Sequence, residues 1–166
     1  MLKHEAFNVS DKLIWADLGC GSGTFTAALA HLLNKDSIIH AIDLNNAALQ
    51  KIPETIQHVV IKKHHADFIK MQFPFENADG ILMANSLHYI EDKLSFLKRI
   101  KTHLKKGNCF LIIEYDTEIT NPWVPYPVNF QSLKELFKQC GYTSITKLHE
   151  RNSVYNRAMM YSTFIK

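Results

Sequence analysis

Short apolar runs alternate with longer mixed segments through the first two-thirds of the chain. Each run is too short for a buried helix and is bounded by glycine or polar residues, so the pattern predicts strands. The mixed segments repeat apolar residues at helical spacing. The predicted strands are Leu13–Asp17, Ser37–Asp43, Val59–Lys63, Gly80–Ala84 and Cys109–Glu114, and the predicted helices are Thr24–Leu33, Asn46–Lys51, Phe68–Met71 and Lys93–Leu104. This alternation indicates a parallel sheet with right-handed crossovers.

The last part of the chain departs from the alternation. A predicted helix over Asn129–Cys140 stops at Gly141 and is followed by two strand-like runs, Tyr142–Leu148 and Ala158–Ile165. The polar stretch Glu150–Asn156 joins the two runs. Two strands in direct succession form a hairpin more readily than a crossover, so we expect an antiparallel strand in the sheet.

A glycine-rich loop follows the first predicted strand. In the string LIWADLGCGSGT, Asp17 ends the apolar run and Gly19, Gly21 and Gly23 fall on alternate positions. Glycine lets a ligand approach the backbone closely, and the following helix would offer free N–H groups to an anionic group. The spacing departs from the dinucleotide fingerprint, because the sixth position from Gly19 is Thr24.

Two later acids have the position of ligand-binding residues. Asp43 ends the second strand, twenty residues after Gly23, where a carboxylate can accept hydrogen bonds from both ribose hydroxyls. Asp67 follows the third strand and precedes Phe68. An Asp before a helical turn also caps it without any ligand, so both roles stay open for Asp67.

Together these strings resemble the class I S-adenosylmethionine-dependent methyltransferases, whose motif I has an acid followed by alternate glycines. The string MANSLHYI after the fourth strand is similar to that of small-molecule members, including the ubiquinone/menaquinone-biosynthesis type. The resemblance implies an α/β fold: a doubly wound, Rossmann-like, mostly parallel seven-stranded sheet with an antiparallel C-terminal hairpin strand. It implies S-adenosylmethionine as cofactor and S-adenosylhomocysteine as product. It assigns cofactor binding to Asp17, Gly19, Cys20, Gly21, Gly23, Asp43, Leu44, Asp67, Phe68 and Asn85.

The acceptor side is less defined. Ligands in open α/β sheets lie beyond the carboxyl ends of strands, so Ser86, Tyr89, Trp123 and Tyr126 are expected to line a substrate pocket. A base is needed only if the acceptor arrives protonated, and the candidates at strand ends are His88, Glu114 and Asp116. The Asp/Asn-Pro-Pro clamp of amino-methylating DNA enzymes and the Pro-Cys of the C5-cytosine enzymes are both absent.

Composition limits the function further. The 166 residues fit a single domain over residues 1–166, and a formal charge of +3 with no dense basic stripe beyond Lys98–Lys106 argues against a nucleic-acid partner. The three scattered cysteines predict neither a disulfide framework nor a metal site. With no signal-like or membrane-spanning apolar segment in the sequence, the expected location is the cytoplasm.

A proline-rich segment and a short start bear on how the site closes. Thr117–Val128 holds three prolines with Trp123 and Tyr126, and it predicts either a cover over the substrate or a rigid surface connection. Only about a dozen residues precede the first strand, whereas many relatives carry helices there. The site would then be more open, or closed by this segment or by a second copy in a homodimer. An open site would also admit a protein or RNA acceptor.

Three hypotheses follow. The first is a methyltransferase that moves a methyl group to a small molecule by in-line displacement. The second is a non-catalytic S-adenosylmethionine-binding sensor or accessory subunit. The third, a nicotinamide-dependent oxidoreductase, is disfavoured by the glycine spacing and the terminal hairpin.

Overall fold

One eight-stranded sheet organises the protein, in the order β3-β4-β2-β1-β5-β6-β8-β7. The computed structural model describes residues 11–153 and 159–166. The strands are β1 (Ile14–Leu18), β2 (Ile38–Asp43), β3 (Thr55–Ile56), β4 (Val59–His65), β5 (Ala78–Ala84), β6 (Leu104–Tyr115), β7 (Ile145–Asn152) and β8 (Met159–Ile165). Strands β4, β2, β1, β5 and β6 are parallel, as the alternating pattern predicts.

The expected count of seven strands was wrong by one. The extra strand, β3, has two residues and pairs antiparallel with the start of β4. The connecting residues Gln57 and His58 both have positive φ, 48° and 67°, which is the conformation of a tight hairpin turn. Glycine or asparagine normally marks such a turn, so the sequence carries no signal for it.

Within the described ranges, four α-helices flank the sheet, α1 (Thr24–Ala30), α2 (Asn46–Leu49), α3 (Lys93–Lys101) and α4 (Phe130–Gln139), and a 3₁₀ turn covers Leu87–Tyr89. The predicted helix over Phe68–Met71 is instead a turn. The Arg99 guanidinium accounts for this, because it donates to the carbonyls of Phe68, Ile69 and Met71, which a continuing helix would use. Helix α3 also ends earlier than predicted, since Leu104 already belongs to β6.

The antiparallel ending is confirmed. Strand β8 lies between β6 and β7 and pairs antiparallel with both. Part of the predicted joint, Glu150–Asn152, extends β7, while residues 154–158 lie outside the described residues.

Hydrophobic clusters cover both faces of the sheet, which confirms the doubly wound arrangement. One cluster packs residues of α3 and α4 such as Phe96 and Phe137, and the other packs residues of α1 and α2 such as Leu29 and Leu49. Trp15 of β1 lies so close to Gly80 of β5 that a Cβ there would be 2.6 Å from its ring. None of the helices in the described ranges has the length and apolar character needed to cross a bilayer.

Candidate active site

The glycine loop after β1 is shaped by three residues in the left-handed region. Gly19, Gly21 and Gly23 have φ of 76°, 54° and 86°. A Cβ on Gly19 would lie 2.6 Å from the Cβ of Ser86, and one on Gly23 would lie 2.7 Å from Ile52. A Cβ on Gly21 would meet nothing within 4 Å. The outer glycines therefore pack against the protein, and the middle one faces open space.

Asp43, at the end of β2, holds this loop in place. One carboxylate oxygen accepts from the Gly21 N–H at 2.7 Å, and the other accepts from the Asn45 N–H at 2.7 Å. Each oxygen keeps a further lone pair for a ligand hydroxyl. The next side chain, Leu44, is 64% exposed beside the loop. An acceptor group and an apolar surface are thus adjacent, as a nucleoside requires.

Asp17 lies beneath the loop. Its side chain is fully buried, one oxygen accepts from the Thr26 hydroxyl at 2.6 Å, and the other has no partner among the described residues. Burial raises the pKa of this carboxyl to about 7, and the Asp43 charge adds to the rise. Burial also raises the pKa of the neighbouring Cys20 thiol, which leaves it protonated and unreactive at neutral pH. Asp17 therefore supports the loop from below, and a cofactor contact for Asp17 or Cys20 remains a prediction.

The predicted pair Asp67-Phe68 supports its neighbourhood in a similar way. An oxygen of Asp67 accepts from the Ile69 N–H at 2.9 Å, which is the capping role that the sequence left open. The Phe68 ring is buried, packs edge-on against Phe96 and lies 3.4 Å from a Cβ placed on Gly19. A cofactor contact for either residue remains a prediction.

Strand β5 leads into the middle of the same edge. Asn85 has a φ of 54°, its N–H donates to the Ile113 carbonyl at 2.8 Å, and its buried side-chain oxygen has no partner in the described part of the chain. Ser86 is buried and donates its hydroxyl to the Leu18 carbonyl at 2.5 Å. Ser86 thus lies against the glycine loop, outside the pocket in which the sequence placed it.

His88 and Glu114 meet at this edge although they are 26 positions apart. The His88 Nδ1 lies 2.7 Å from Oε2 of Glu114, and the His88 backbone N–H donates to Oε1 at 3.2 Å. Both side chains are almost completely buried. Both residues are among the candidate bases that the sequence predicts, and the structure brings them together as one pair.

A cavity of about 570 Å³ opens beside this pair. Its lining comes from the loops after β5 and β6: Asn85, His88, Tyr89, Tyr115, Asn121, Trp123 and Val124. A volume of this size is typical of small-molecule pockets. No charged Lys, Arg, Asp or Glu side chain is among these described lining residues, and three of them are aromatic.

The proline-rich segment forms one wall of the cavity. The Asn121 side chain accepts from the N–H groups of Trp123 and Val124, both at 3.0 Å, which fixes a tight turn. Val124 is buried beneath that turn, and Trp123 stays 76% exposed. Tyr126 is not among the lining residues; its N–H donates to the His88 carbonyl, and its ring faces the Lys93 ammonium. The segment is therefore tied to the buried histidine.

Tyr115, Asn121 and Val124 line the cavity without having been predicted. Tyr115 follows Glu114 directly, so the strand-end rule that selected Glu114 could also have selected it. Asn121 precedes a proline and reads in the sequence only as a turn residue. Its place in the wall depends on the path of the whole segment.

The groups along this edge can be compared with the parts of the cofactor that the sequence implies. The open space over Gly21, the spare lone pairs of Asp43, the exposed Leu44 and the unsatisfied oxygen of Asn85 lie along one edge. These groups match a ligand with ribose hydroxyls, an apolar base and a polar tail. The residues present therefore fit S-adenosylmethionine.

An open sheet with a glycine loop after β1, an acid after β2 and an antiparallel final hairpin defines a class I methyltransferase fold. The family model described as "Methyltransferase domain" matches residues 16–110, more than half of the chain. The protein belongs to this family, whose cofactor is S-adenosylmethionine.

One curated relative is the ubiquinone/menaquinone biosynthesis C-methyltransferase UbiE of Pasteurella multocida (strain Pm70). It is 24% identical over 110 residues, which cover 64% of this chain. The chain spans only 41% of the length of that relative.

Several solved structures share the fold. A SAM-dependent methyltransferase from Aquifex aeolicus has a TM-score of 0.64 and 19% identity, with 98% of this chain and 87% of that chain covered. The CurJ carbon methyltransferase has a TM-score of 0.70 and 18% identity, covering 94% and 49%. The DhpI-SAH complex has a TM-score of 0.67 and 14% identity, covering 91% and 75%.

Proposed function

We propose that this protein transfers a methyl group from S-adenosylmethionine to a small-molecule acceptor by in-line displacement. One observation carries the proposal: the cavity lies next to the glycine loop, and two consecutive residues connect the two. Ser86 packs against Gly19 on the loop side, and its neighbour Asn85 lines the cavity. A cofactor bound at the loop would therefore lie next to an acceptor bound in the cavity.

Different residues would hold the cofactor and align the acceptor. Gly21, Asp43 and Leu44 would hold the nucleoside part of the cofactor, and Asn85 would bind its polar tail. When bound, the cofactor supplies an activated methyl group on a positively charged sulfur. Because the leaving group is already activated, the protein mainly contributes alignment of the acceptor.

The volume and the lining of the cavity support a small acceptor. Asn121, Trp123 and Val124 wall the cavity on the side of the proline-rich segment, and the lining residues present no cationic surface for nucleic acid. The relative and one of the solved structures are named as carbon methyltransferases, so carbon is among the candidate acceptor atoms. We also propose a cytoplasmic location, supported by three cysteines that form no disulfide.

Two measurements test this function. Calorimetry should detect binding of S-adenosylmethionine and S-adenosylhomocysteine and none of NAD. Labelled methyl transfer into a size-fractionated cell extract should give a small labelled product. Binding without any product would favour the accessory-subunit hypothesis, label on protein or RNA would refute the small acceptor, and tight NAD binding alone would refute the cofactor.

A further inference from the structure

The buried pair His88 and Glu114 is arranged in a way that fixes which histidine nitrogen carries the proton. Both carboxylate oxygens of Glu114 face hydrogen-bonding groups of His88, the backbone N–H at 3.2 Å and Nδ1 at 2.7 Å. With Glu114 ionised, its carboxylate can only accept, and Nδ1 then carries the hydrogen. In the neutral ring, Nε2 then bears the free lone pair, which is the form needed to take up a proton.

The other nitrogen, Nε2, is buried and has no hydrogen-bond partner among the described residues. Buried polar atoms in folded proteins almost always have a partner, so an unsatisfied one calls for an explanation. The two ring nitrogens point in nearly opposite directions, and Nδ1 faces Glu114. Nε2 therefore faces away from Glu114, on a residue that lines the cavity. An acceptor hydroxyl would supply the missing partner.

Aromatic and titratable side chains from several elements surround the pair. The Tyr89 ring packs against the His88 ring at an interplanar angle of 53° with centroids 4.5 Å apart, and the centroid of the Tyr115 ring lies 6.1 Å from that of His88. Burial raises the pKa of Tyr161 on β8, and the charge of Glu114 adds to the rise. Burial lowers the pKa of Lys93 on α3, and the charge of Glu114 opposes that effect. The Lys93 ammonium itself donates to the Ile90 carbonyl at 2.7 Å. Tyr89 is 47% exposed and lines the cavity.

The cavity walls define the shape and charge of that ligand. Tyr89, Tyr115 and Trp123 offer flat aromatic surfaces, and Asn85 and Asn121 offer neutral polar groups. Aromatic surfaces can take a ring of the acceptor in an offset-stacked or edge-to-face arrangement. The described lining residues include no Lys, Arg, Asp or Glu, so they favour an acceptor that arrives uncharged.

We infer that His88 is the general base for a planar, uncharged acceptor that carries an acidic hydroxyl, an aromatic hydroxyl or an enol, and that Glu114 is its positioning residue. This inference rests on the proposed function. The O–H bond breaks and its proton goes to Nε2, while the electron pair stays on the acceptor. That pair, on oxygen or on a conjugated carbon, forms the new bond to the methyl group, and the departing sulfur keeps the electrons of its broken carbon–sulfur bond. The Glu114 carboxylate balances the imidazolium until His88 releases the proton to water.

The experiment compares para-substituted phenols as probes, from 4-methylphenol to the much more acidic 4-nitrophenol. Labelled methyl transfer to oxygen or to ring carbon is followed with wild type, His88→Gln, Glu114→Gln and the control His31→Gln, at the exposed end of α1. For 4-methylphenol, His88→Gln should lower kcat/KM by about 10²–10⁴-fold, the usual contribution of a general base. For 4-nitrophenol, which ionises without help, the loss should fall below about tenfold.

A second measurement needs no cofactor. Absorbance of 4-nitrophenol, titrated with each protein below the pKa of the free phenol, should show the ionised form bound to wild type and the neutral form bound to His88→Gln. Glu114→Gln should lie between the two, and His31→Gln should match wild type. If His88→Gln does not fold by circular dichroism, Glu114→Gln carries both comparisons.

Several results would overturn the inference: an equal loss of rate across the phenol series, no spectral difference between the proteins, or a wild type that binds S-adenosylmethionine and methylates none of the phenols. A product methylated on an amine or thiol in cell extract would also overturn it while leaving the proposed function intact. Absence of any S-adenosylmethionine binding would instead remove the proposed function itself.

Discussion

The two halves of the site are built in different ways. The half formed by β1 and β2, which we call the cofactor cradle (residues 17–23 with Asp43 and Leu44), depends on backbone conformation and on contacts between neighbouring strands. The half formed by the loops after β5 and β6, the acceptor cavity, depends on side chains that come from distant parts of the chain. In the cavity, the His88–Glu114 pair joins two side chains that are 26 positions apart.

This difference has a physical basis. The cradle must fit a cofactor that all family members share, so its requirements fall on glycines and a carboxylate at fixed spacing. The cavity must fit a particular acceptor, and its walls are loops that can vary without disturbing the sheet. Changes in the cradle should therefore alter stability or cofactor affinity, whereas changes at the cavity wall should alter acceptor use.

The largest expected effect concerns the buried acid of the cradle. The pKa of Asp17 is raised to about 7 in the folded protein from 3.8, so the folded state binds this proton more tightly than the unfolded state. As pH rises from about 4 to 7, the free energy of unfolding of the wild type should fall by roughly 4 kcal/mol relative to that of Asp17→Asn. Above pH 7 the difference should level off. Urea unfolding across this range measures it.

The comparison with Asp17→Asn is needed because His40 titrates in the same pH range, and its effect on the free energy of unfolding has the opposite sign. Burial lowers the pKa of His40 to about 4, so its contribution to stability is lost as pH falls. Both proteins share that contribution, and subtraction removes it. A difference that does not change between pH 4 and 7 would contradict the role assigned to Asp17.

Substitution of the loop glycines should separate stability from binding. Gly19→Ala forces a Cβ to within 2.6 Å of Ser86 at a φ of 76°, and the combined crowding and strain should lower the free energy of unfolding by about 3 kcal/mol. Gly21→Ala adds only the strain of the left-handed region, about 1 kcal/mol. Its methyl group would occupy the open space, so affinity for S-adenosylmethionine should fall about tenfold. Equal effects of both changes on unfolding would refute this distinction.

Asp43→Ala should weaken the cradle without affecting the cavity. It removes the acceptor for the Gly21 N–H and the proposed acceptor for the ribose hydroxyls. Loss of charge-assisted hydrogen bonds of this kind costs about 2 kcal/mol, so calorimetry should show about 30-fold weaker binding of S-adenosylmethionine. Asp11→Asn, before β1 at the opposite edge of the sheet, serves as the control. Unchanged affinity in Asp43→Ala would mean that the cofactor does not use this carboxylate.

The smallest expected effect lies at the rim of the cavity. Trp123 is 76% exposed, so Trp123→Ala should change the free energy of unfolding by less than about 0.5 kcal/mol. If the ring covers the acceptor, kcat/KM for the acceptor should fall roughly fivefold, about 1 kcal/mol, with no change in cofactor affinity. Tyr126→Ala, outside the lining, should have the weaker effect on kcat/KM. Normal acceptor kinetics in both variants would exclude a cover.

The same contrast explains what the sequence could predict. The parallel strands, the glycine loop and Asp43 were readable because each requirement lies within a few neighbouring residues. The strand β3 was missed because Gln57 and His58 adopt a glycine-like turn. The turn over Phe68–Met71 looked helical because the guanidinium that binds its carbonyls comes from α3. Tyr115 and the pairing of His88 with Glu114 depend on how loops cross the edge of the sheet, which no local pattern specifies.

The position of β8 has a consequence for how the protein acquires its site during synthesis. Strand β6 carries Glu114 and Tyr115, and its outer edge pairs with β8, with Phe110 opposite Ile165 and Tyr115 opposite Met160. While the ribosome is still making β7, that edge exposes unpaired backbone groups to other chains. The wall behind His88 is complete only when β8 has paired with β6. A chain in which β8 has not yet paired would therefore be prone to strand exchange at β6.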